Sequence, residues 1–460
     1  MRRIYLNAFT MNGVVHQSPG LWVRPENRTT DYKNLDTWID LAKLLERGHF
    51  DAMFIADSIG TNDVYNGNRD AAIRRAAHIP INDPMLLVPS MAHATDHLGF
   101  GFTSSILQYH PFSFARLVST LDHLTNGRIA WNIVTSYLDS AARNFGHSGL
   151  LEHDERYAMA DDYCTACYKL WEGSWAEDAV IVDKLNGIYA DPAKVFDVDH
   201  DGKYFQVHGC HLVEPSPQRT PVLFQAGSSP RGQAFAAEHA ECVFLLGPTP
   251  EVVGGYIKSI RDAAAQRGRE RDDILCYAYM KVITGSTEAE AQRKYDDYFA
   301  QIDYESAMVM MSGWSGIDFG EFEPDMPVKH IKTNSLRTFL QSIIDSDPDR
   351  EWLMRDIAHY VGMGGAGPVL VGAPEQIADE FERWIEAGVD GFNLAYAVSP
   401  GTFEDFIDGV VPVLKQRGRM QSEYLGGTLR EKLFGAGKRR LASPHPAARA
   451  RALLGQNETS

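Results

Sequence analysis

The feature that most constrains the fold is a unit that recurs along the chain. A helix-like stretch ends at a glycine, and a short run of consecutive apolar residues follows. LAKLLERGHF passes through Gly48 into DAMFIAD (51–57), LVSTLDHLTNG through Gly127 into RIAWNIVT (128–135), and IADEFERWIEAG through Gly388 into DGFNLAYA (390–397). A glycine just past a helix end takes the backbone conformation that closes the last turn. Apolar residues on consecutive rather than alternate positions mark strands covered on both faces, as in a parallel sheet. Weaker runs of the same kind are RIYLNAF (3–9), LGFGFTSS (98–105), PVLFQAG (221–227), ECVFLLG (241–247) and DILCYAYMKVITG (273–285).

Eight strands alternating with helices predict an α/β fold, a TIM (β/α)8 barrel. A doubly wound open sheet is the alternative, but no GxGxxG follows any of these strands. The expected organisation is one barrel over 1–414, with insertions at about 174–220 and 300–370, and a C-terminal extension over 415–460. The first insertion is polar and turn-rich, with VDHDGKYF and EPSPQRTP. The second runs from a helical start through MSGWSGIDFG to VGMGGAGPVL, and a long excursion of this kind is a candidate active-site lid.

Composition removes several function classes. Lys and Arg total 44 against 61 Asp and Glu, a net charge of −17, which repels phosphate backbones and anionic lipid, so no nucleic acid or membrane partner is expected. No stretch is apolar enough to span a bilayer, and the start lacks the pattern of a signal peptide. The odd set Cys164, Cys167, Cys210, Cys242 and Cys276 is no disulfide framework and suits a reducing cytoplasm. HExxH, GxSxG and P-loop motifs are missing, so no metal, serine nucleophile or nucleoside triphosphate is expected.

In a barrel of this type the chemistry sits at the C-terminal ends of the strands. Those ends carry Asn7, Asp57, Thr103, Ser104, Ser105, Asn132, Thr135, Ser136, Gln225, Ser228 and Ser229. In QAGSSPRG, Ser229 occupies an N-cap position and Pro230 the first helical position, so free backbone N–H groups and the helix dipole make an anion site there, or simply a well-capped helix. Arg231 is placed to add charge. EHDERY (152–157) opens a helix on which His153 and Tyr157 share a face, either as a clamp for a ring or phosphate or as a surface pair. Cys164 and Cys167 on that helix read best as packing residues. His16, in the loop after the first strand, is either a surface histidine or an acid, base or donor at the barrel mouth.

Taken together, NAFTMN, ERGHFDAMFIAD, INDP, TLDHLTNGRIAWNIVTS, EHDERY, YKLWEGSW, EPSPQRTPVLFQAG, DGFNLAYAVSPGTFEDFID and REKLFG resemble the bacterial-luciferase-like flavin monooxygenases. The match is to the branch of nitrilotriacetate, dibenzothiophene-sulfone, long-chain-alkane and dimethyl-sulfide monooxygenases, from about residue 4 to 440. GWSGIDF, NSLRT and GAGPVLVG lean toward the dimethyl-sulfide enzyme.

The resemblance implies a TIM barrel that uses reduced FMN, delivered by a separate NAD(P)H:flavin reductase, and O2 as co-substrate. It implies a homodimer or homotetramer. Asp57, Thr103, Ser136, His153, Tyr157, Ala226, Gly227, Ser228 and Ser229 are then expected to hold FMN, with Ser229 on the phosphate. Asn132 is expected beside the flavin ring, and His16 as hydrogen-bond donor to a flavin peroxide or to the substrate. Gly13, Asn62, His78 and Tyr137 are expected as pocket positions, Tyr137 joining His16 and Asn132 in the catalytic set. The implied reaction transfers one oxygen atom to a small organic substrate, a sulfide such as dimethyl sulfide. The alternatives are an alkane, a sulfone, or riboflavin cleaved oxidatively. A flavin-binding barrel without oxygenase activity and a deazaflavin-dependent dehydrogenase are the readings from other classes.

Overall fold

The structure, a computed structural model, describes residues 2–328, 349–365 and 367–452. Its strands are β1 (Tyr5–Met11), β2 (Ala52–Ala56), β3 (Gly99–Ser105), β4 (Ile129–Val134), β5 (Val180–Asp183), β6 (Ile188–Ala190), β7 (Val198–Asp201), β8 (Gln206–Gly209), β9 (Val222–Ala226), β10 (Cys242–Leu245), β11 (Leu275–Thr284), β12 (Val369–Gly372) and β13 (Gly391–Ala395). Eight of them close a parallel barrel in the order β1-β2-β3-β4-β9-β10-β11-β13, with β13 returning to β1. These eight coincide with the eight apolar runs of the sequence, and the expected TIM barrel is borne out.

Alternation along each strand separates two cores. On β1, Leu6 and Ala8 face the surrounding helices while Phe9 faces inward; on β11, Cys276, Ala278 and Met280 face out while Tyr277 and Tyr279 face in. The lower interior is filled by rings: Phe54 lies 5.2 Å from Phe224, Phe224 5.5 Å from Tyr277, and Phe9 4.9 Å from Phe244. The barrel is therefore plugged below, and its cavity lies at the C-terminal mouth.

The bottom is closed by the C-terminal extension. Leu429 and Leu433, on the helix Leu429–Phe434, pack into the interior cluster. Arg430, 2% exposed, forms a two-pronged ion pair with Glu241 (2.6 and 2.9 Å) and donates to the carbonyls of Thr220 and Pro221. The helix Pro446–Ala452 packs on the long helix His153–Gly173. The extension thus packs on its own barrel.

The insertions differ from expectation in kind. Within 174–220 lie two antiparallel hairpins, β5–β6 and β7–β8. EPSPQRTP, which reads as a polar loop, is largely internal. Gln218, Arg219 and Thr220 are buried, and Asp122 accepts from the Gln218 backbone N–H at 2.7 Å and its side-chain amide at 2.8 Å. Within 300–370 the described residues form the helix Tyr304–Ser315, the expected helical start, and a second helix Met354–Gly364, joined to it by one apolar cluster. The same stretch leads into β12, a ninth strand that pairs with the far half of β11. The segment NSLRT (334–338) falls outside the described residues.

Candidate active site

At the barrel mouth a cavity of about 630 Å3 opens above Phe9, Phe244 and Tyr279. Its walls are the strand ends and the first turn of the helix His153–Gly173, with Met311, Trp314 and Ser315 of the helix Tyr304–Ser315. The mouth gathers polar groups because each strand's last inward residue has no neighbour above it to pack against.

The structure brings Asp57, Thr103, Ser136, Tyr137, His153, Tyr157, Ala226 and Ser228 onto this cavity. Gly227 and Ser229 lie just behind its wall. Ser229 caps the helix Pro230–His239, its Oγ accepting from Gly232 N–H at 3.0 Å, and that Oγ is 3.3 Å from His153 Nε2. Two helix N-termini thus converge, and both dipoles favour negative charge at that point. Tyr157 stands between them with its ring 5.3 Å from that of His153. A β-carbon at Gly227 or at Gly232 would come within 2.8 Å of the Tyr157 hydroxyl, so both glycines are required by that close approach. Arg231 does not add free charge here: it is paired with Asp161, which also meets His239 at 3.1 Å.

Ser136 is held at a φ of 62°, in the left-handed region that non-glycine residues rarely adopt. Its hydroxyl shares a 2.8 Å hydrogen bond with Ser105, and its carbonyl accepts from Arg156. Asp57 follows β2. Burial and the nearby Asp83 carboxylate push its carboxyl up to about 7, against the single hydrogen bond from Ser58 N–H. Tyr137 is 44% exposed by area, but into the cavity, where it faces Ser58 and Trp314; enclosure by protein raises its phenol.

Asn132 and His16 do not line the cavity. Asn132 sits inside the barrel, where its side-chain amide donates to Thr103 Oγ1 at 3.0 Å and its Oδ1 has no partner among the described residues. His16 is 1% exposed, packed edge-on against Phe9 with ring centroids 4.3 Å apart. Both its ring nitrogens are buried without hydrogen-bond partners among the described residues, and burial, together with His78 and Lys281, holds it well below the usual histidine range. Gly13, Asn62 and His78 also stand away from the cavity. Gly13 bridges to Ile81, Asn62 donates to the carbonyl of Ala77, and a His78 ring nitrogen lies 3.0 Å from the carbonyl of His16. They are expected in the pocket because the loops that carry them are, yet these loops pack on each other.

Several wall residues escape a reading of the sequence. Gln17, Arg156, Phe244, Tyr256, Tyr279 and Trp314 all line the cavity. Tyr279 is recoverable from strand alternation, and Arg156 from its place in EHDERY. Trp314 comes from the insertion expected as a lid, but no local pattern singles out its side chain as a wall of the cavity. Cys164 and Cys167 are fully buried and face no site. Among the described residues no cluster of His, Cys, Asp or Glu is arranged to hold a metal, and no helix is long and apolar enough to cross a membrane.

The luciferase-like monooxygenase family model matches residues 16–391. The chain is 49% identical to a dimethyl-sulfide monooxygenase of Hyphomicrobium sulfonivorans, over 98% of this chain and 94% of the other. It is 47% identical to a long-chain alkane monooxygenase of Geobacillus thermodenitrificans, over 98% of each. The crystal structure of DmoA from Hyphomicrobium sulfonivorans superposes with a TM-score of 0.93 at 48% identity, covering 98% of this chain and 96% of that one. The family expected from the sequence segments is therefore the right one: the chain belongs to the luciferase-like monooxygenases, flavin-dependent enzymes that use O2.

Proposed function

We propose that this protein is the oxygenase of a two-component system that takes reduced FMN from a separate NAD(P)H:flavin reductase and oxygenates a small organic sulfide. The observation that carries the reading is the cavity's two-ended character. One end is the meeting point of two helix N-termini at Ser229 and His153, suited to a phosphate. The other is walled by Phe9, Phe244, Met311 and Trp314, suited to an uncharged donor.

The residues present fit a flavin. Gln225 Oε1 and the Tyr279 hydroxyl, on two residues that line the cavity, are buried polar atoms with no partner among the described residues, as a polar ring system requires. Asp57, Thr103, Ser136, Tyr157 and the Ala226–Ser229 turn would hold it, with Ser229 and His153 on the phosphate. When bound, reduced FMN supplies the two electrons that let one atom of O2 enter the substrate while the other leaves as water. The protein's part is to orient, to exclude water and to manage protons. Phe9, Phe244 and Trp314 keep the reacting end dry. Asp57, poised near neutrality, holds or releases a proton at its carboxyl oxygens. His16, neutral beneath Phe9, presents unpaired nitrogens one residue from the cavity-lining Gln17.

The aromatic floor and the dimethyl-sulfide relative favour a small, soft sulfur centre over a long chain. The five free cysteines support a cytoplasmic setting, and we place the homo-oligomer expected of the family there. The test is anaerobic binding of reduced FMN, followed by 18O2 in the presence of dimethyl sulfide, alkanes, sulfones or riboflavin. One labelled atom in an oxidised sulfide is the expected result. Failure to bind reduced FMN removes the flavin reading. Release of all reducing equivalents as hydrogen peroxide with every donor makes the barrel a flavin binder without oxygenase activity.

A further inference from the structure

Lys281 lies on β11 at the residue where that strand ends its pairing with β13 (Lys281 opposite Ala395) and begins its pairing with β12 (Lys281 opposite Val369). Alternation with Tyr277 and Tyr279 turns its side chain inward, and it is fully buried. A buried lysine is ordinarily matched by a carboxylate. Among the described residues the partners of this one are all neutral: the carbonyl of Gln17 at 3.0 Å, Ser18 Oγ at 2.7 Å, and the carbonyl of Met363. The Ser18 hydroxyl donates its own proton to the carbonyl of Tyr396 at 2.8 Å, so toward Lys281 its oxygen only accepts.

Three acceptors around one nitrogen call for three N–H donors, which an ammonium has and a neutral amine lacks. Deprotonation would turn a lone pair toward one of those oxygens. Burial works in the opposite sense and pushes the lysine down to about 7. The titratable side chain that senses this charge directly is His16, neutral and buried in the loop after β1, with His78 beyond it. The phenol of Tyr279, two residues before Lys281 on β11, feels those of Tyr360 on the helix Met354–Gly364 and Tyr396 after β13.

The three bonds join separate parts of the mouth. Gln17 and Ser18 belong to the loop after β1, and Met363 to the helix Met354–Gly364. The Gln17 side chain lines the cavity and presses on Gly365, where a β-carbon would lie 2.1 Å from its Oε1. We propose that Lys281 is a positioning residue, its ammonium clamping the His16–Gln17–Ser18 segment to the Met354–Gly364 helix so that Gln17 keeps its place on the cavity wall and His16 its place beside it. The clamp rests on the oxygenase reading only for the work that His16 and Gln17 perform.

Hydrogen exchange measured by mass spectrometry on the full chain tests it without flavin or substrate, so its failure is separable from failure of that reading. In Lys281→Met, residues 12–20 and 354–365 should exchange about tenfold faster, while 99–105 and 129–134 keep their protection. Should that variant not fold, Ser18→Ala removes one acceptor and leaves the lysine in place, with the same segments loosened. In the unmodified chain, exchange of 12–20 corrected for intrinsic rate should rise between about pH 6 and 9, spanning the shifted lysine, and the rise should flatten in Ser18→Ala. Unchanged exchange of 12–20 in the variants, an equal rise throughout the barrel, or protection of 12–20 that ignores pH would each overturn the proposal.

Discussion

The hydroxyl of Ser229 lies 3.3 Å from Nε2 of His153, although 76 positions separate them in the chain. Each stands at the start of a helix, Ser229 as N-cap of Pro230–His239 and His153 as first residue of His153–Gly173. The barrel thereby aims two positive helix ends at one point on its rim, in a chain whose net charge is −17. Local N–H groups and hydroxyls, not the overall field, must hold an anion there.

Ser229→Ala should weaken FMN binding by roughly 1–2 kcal/mol, the scale of one charge-assisted hydrogen bond, and leave riboflavin binding nearly unchanged. Fluorescence quenching titrations of the two flavins measure the difference. Equal affinity of both variants for FMN would move the phosphate away from this helix pair.

Asp57 makes stability at this site depend on pH. Its folded-state carboxyl is raised from 3.8 to about 7 by burial and by Asp83. The acid form is therefore favoured on folding, and the benefit is lost as pH rises from about 4 through about 7. At a little over 1.3 kcal/mol per unit the ceiling is about 4 kcal/mol. Asp57→Asn should raise Tm at pH 8 relative to the unmodified chain and make little difference at pH 4. Parallel melting curves at the two pH values would show that Asp57 titrates normally.

At the opposite end, Arg430 and Glu241 are both buried and bonded in two places. Removing one partner strands the other, so Arg430→Met should cost about 3–5 kcal/mol in chemical denaturation. FMN affinity of the folded fraction should not change, because this pair closes the bottom of the barrel. A loss of less than about 1 kcal/mol would mean that water reaches Glu241.

Gly227→Ala places a methyl group 2.5 Å from Gln225 Nε2 and 2.8 Å from the Tyr157 hydroxyl. Tyr157 must then swing away from the convergent helix ends. The expected outcome is a roughly tenfold or greater loss of FMN affinity with little change in Tm. Wild-type affinity in a variant of normal stability would show that Tyr157 is not needed where it stands.

The eight barrel strands were legible in the sequence because their signals are local: consecutive apolar residues, a glycine at the preceding helix end, a serine or threonine cap. The Ser229 turn and the shared face of His153 and Tyr157 follow from the same short-range rules. What surrounds them was decided by tertiary structure. Trp314 reaches the mouth from an insertion, Arg430 crosses 189 positions to Glu241, and Lys281 crosses 264 to Gln17. His16, expected at the mouth from the loop after β1, and Asn132, expected there from a strand end, turn inward below the cavity wall because loops and neighbouring strands close over them. Periodicity specifies which face of an element is apolar, whereas the partner of a buried charge depends on contacts between segments far apart in the chain, which only the closed barrel brings together.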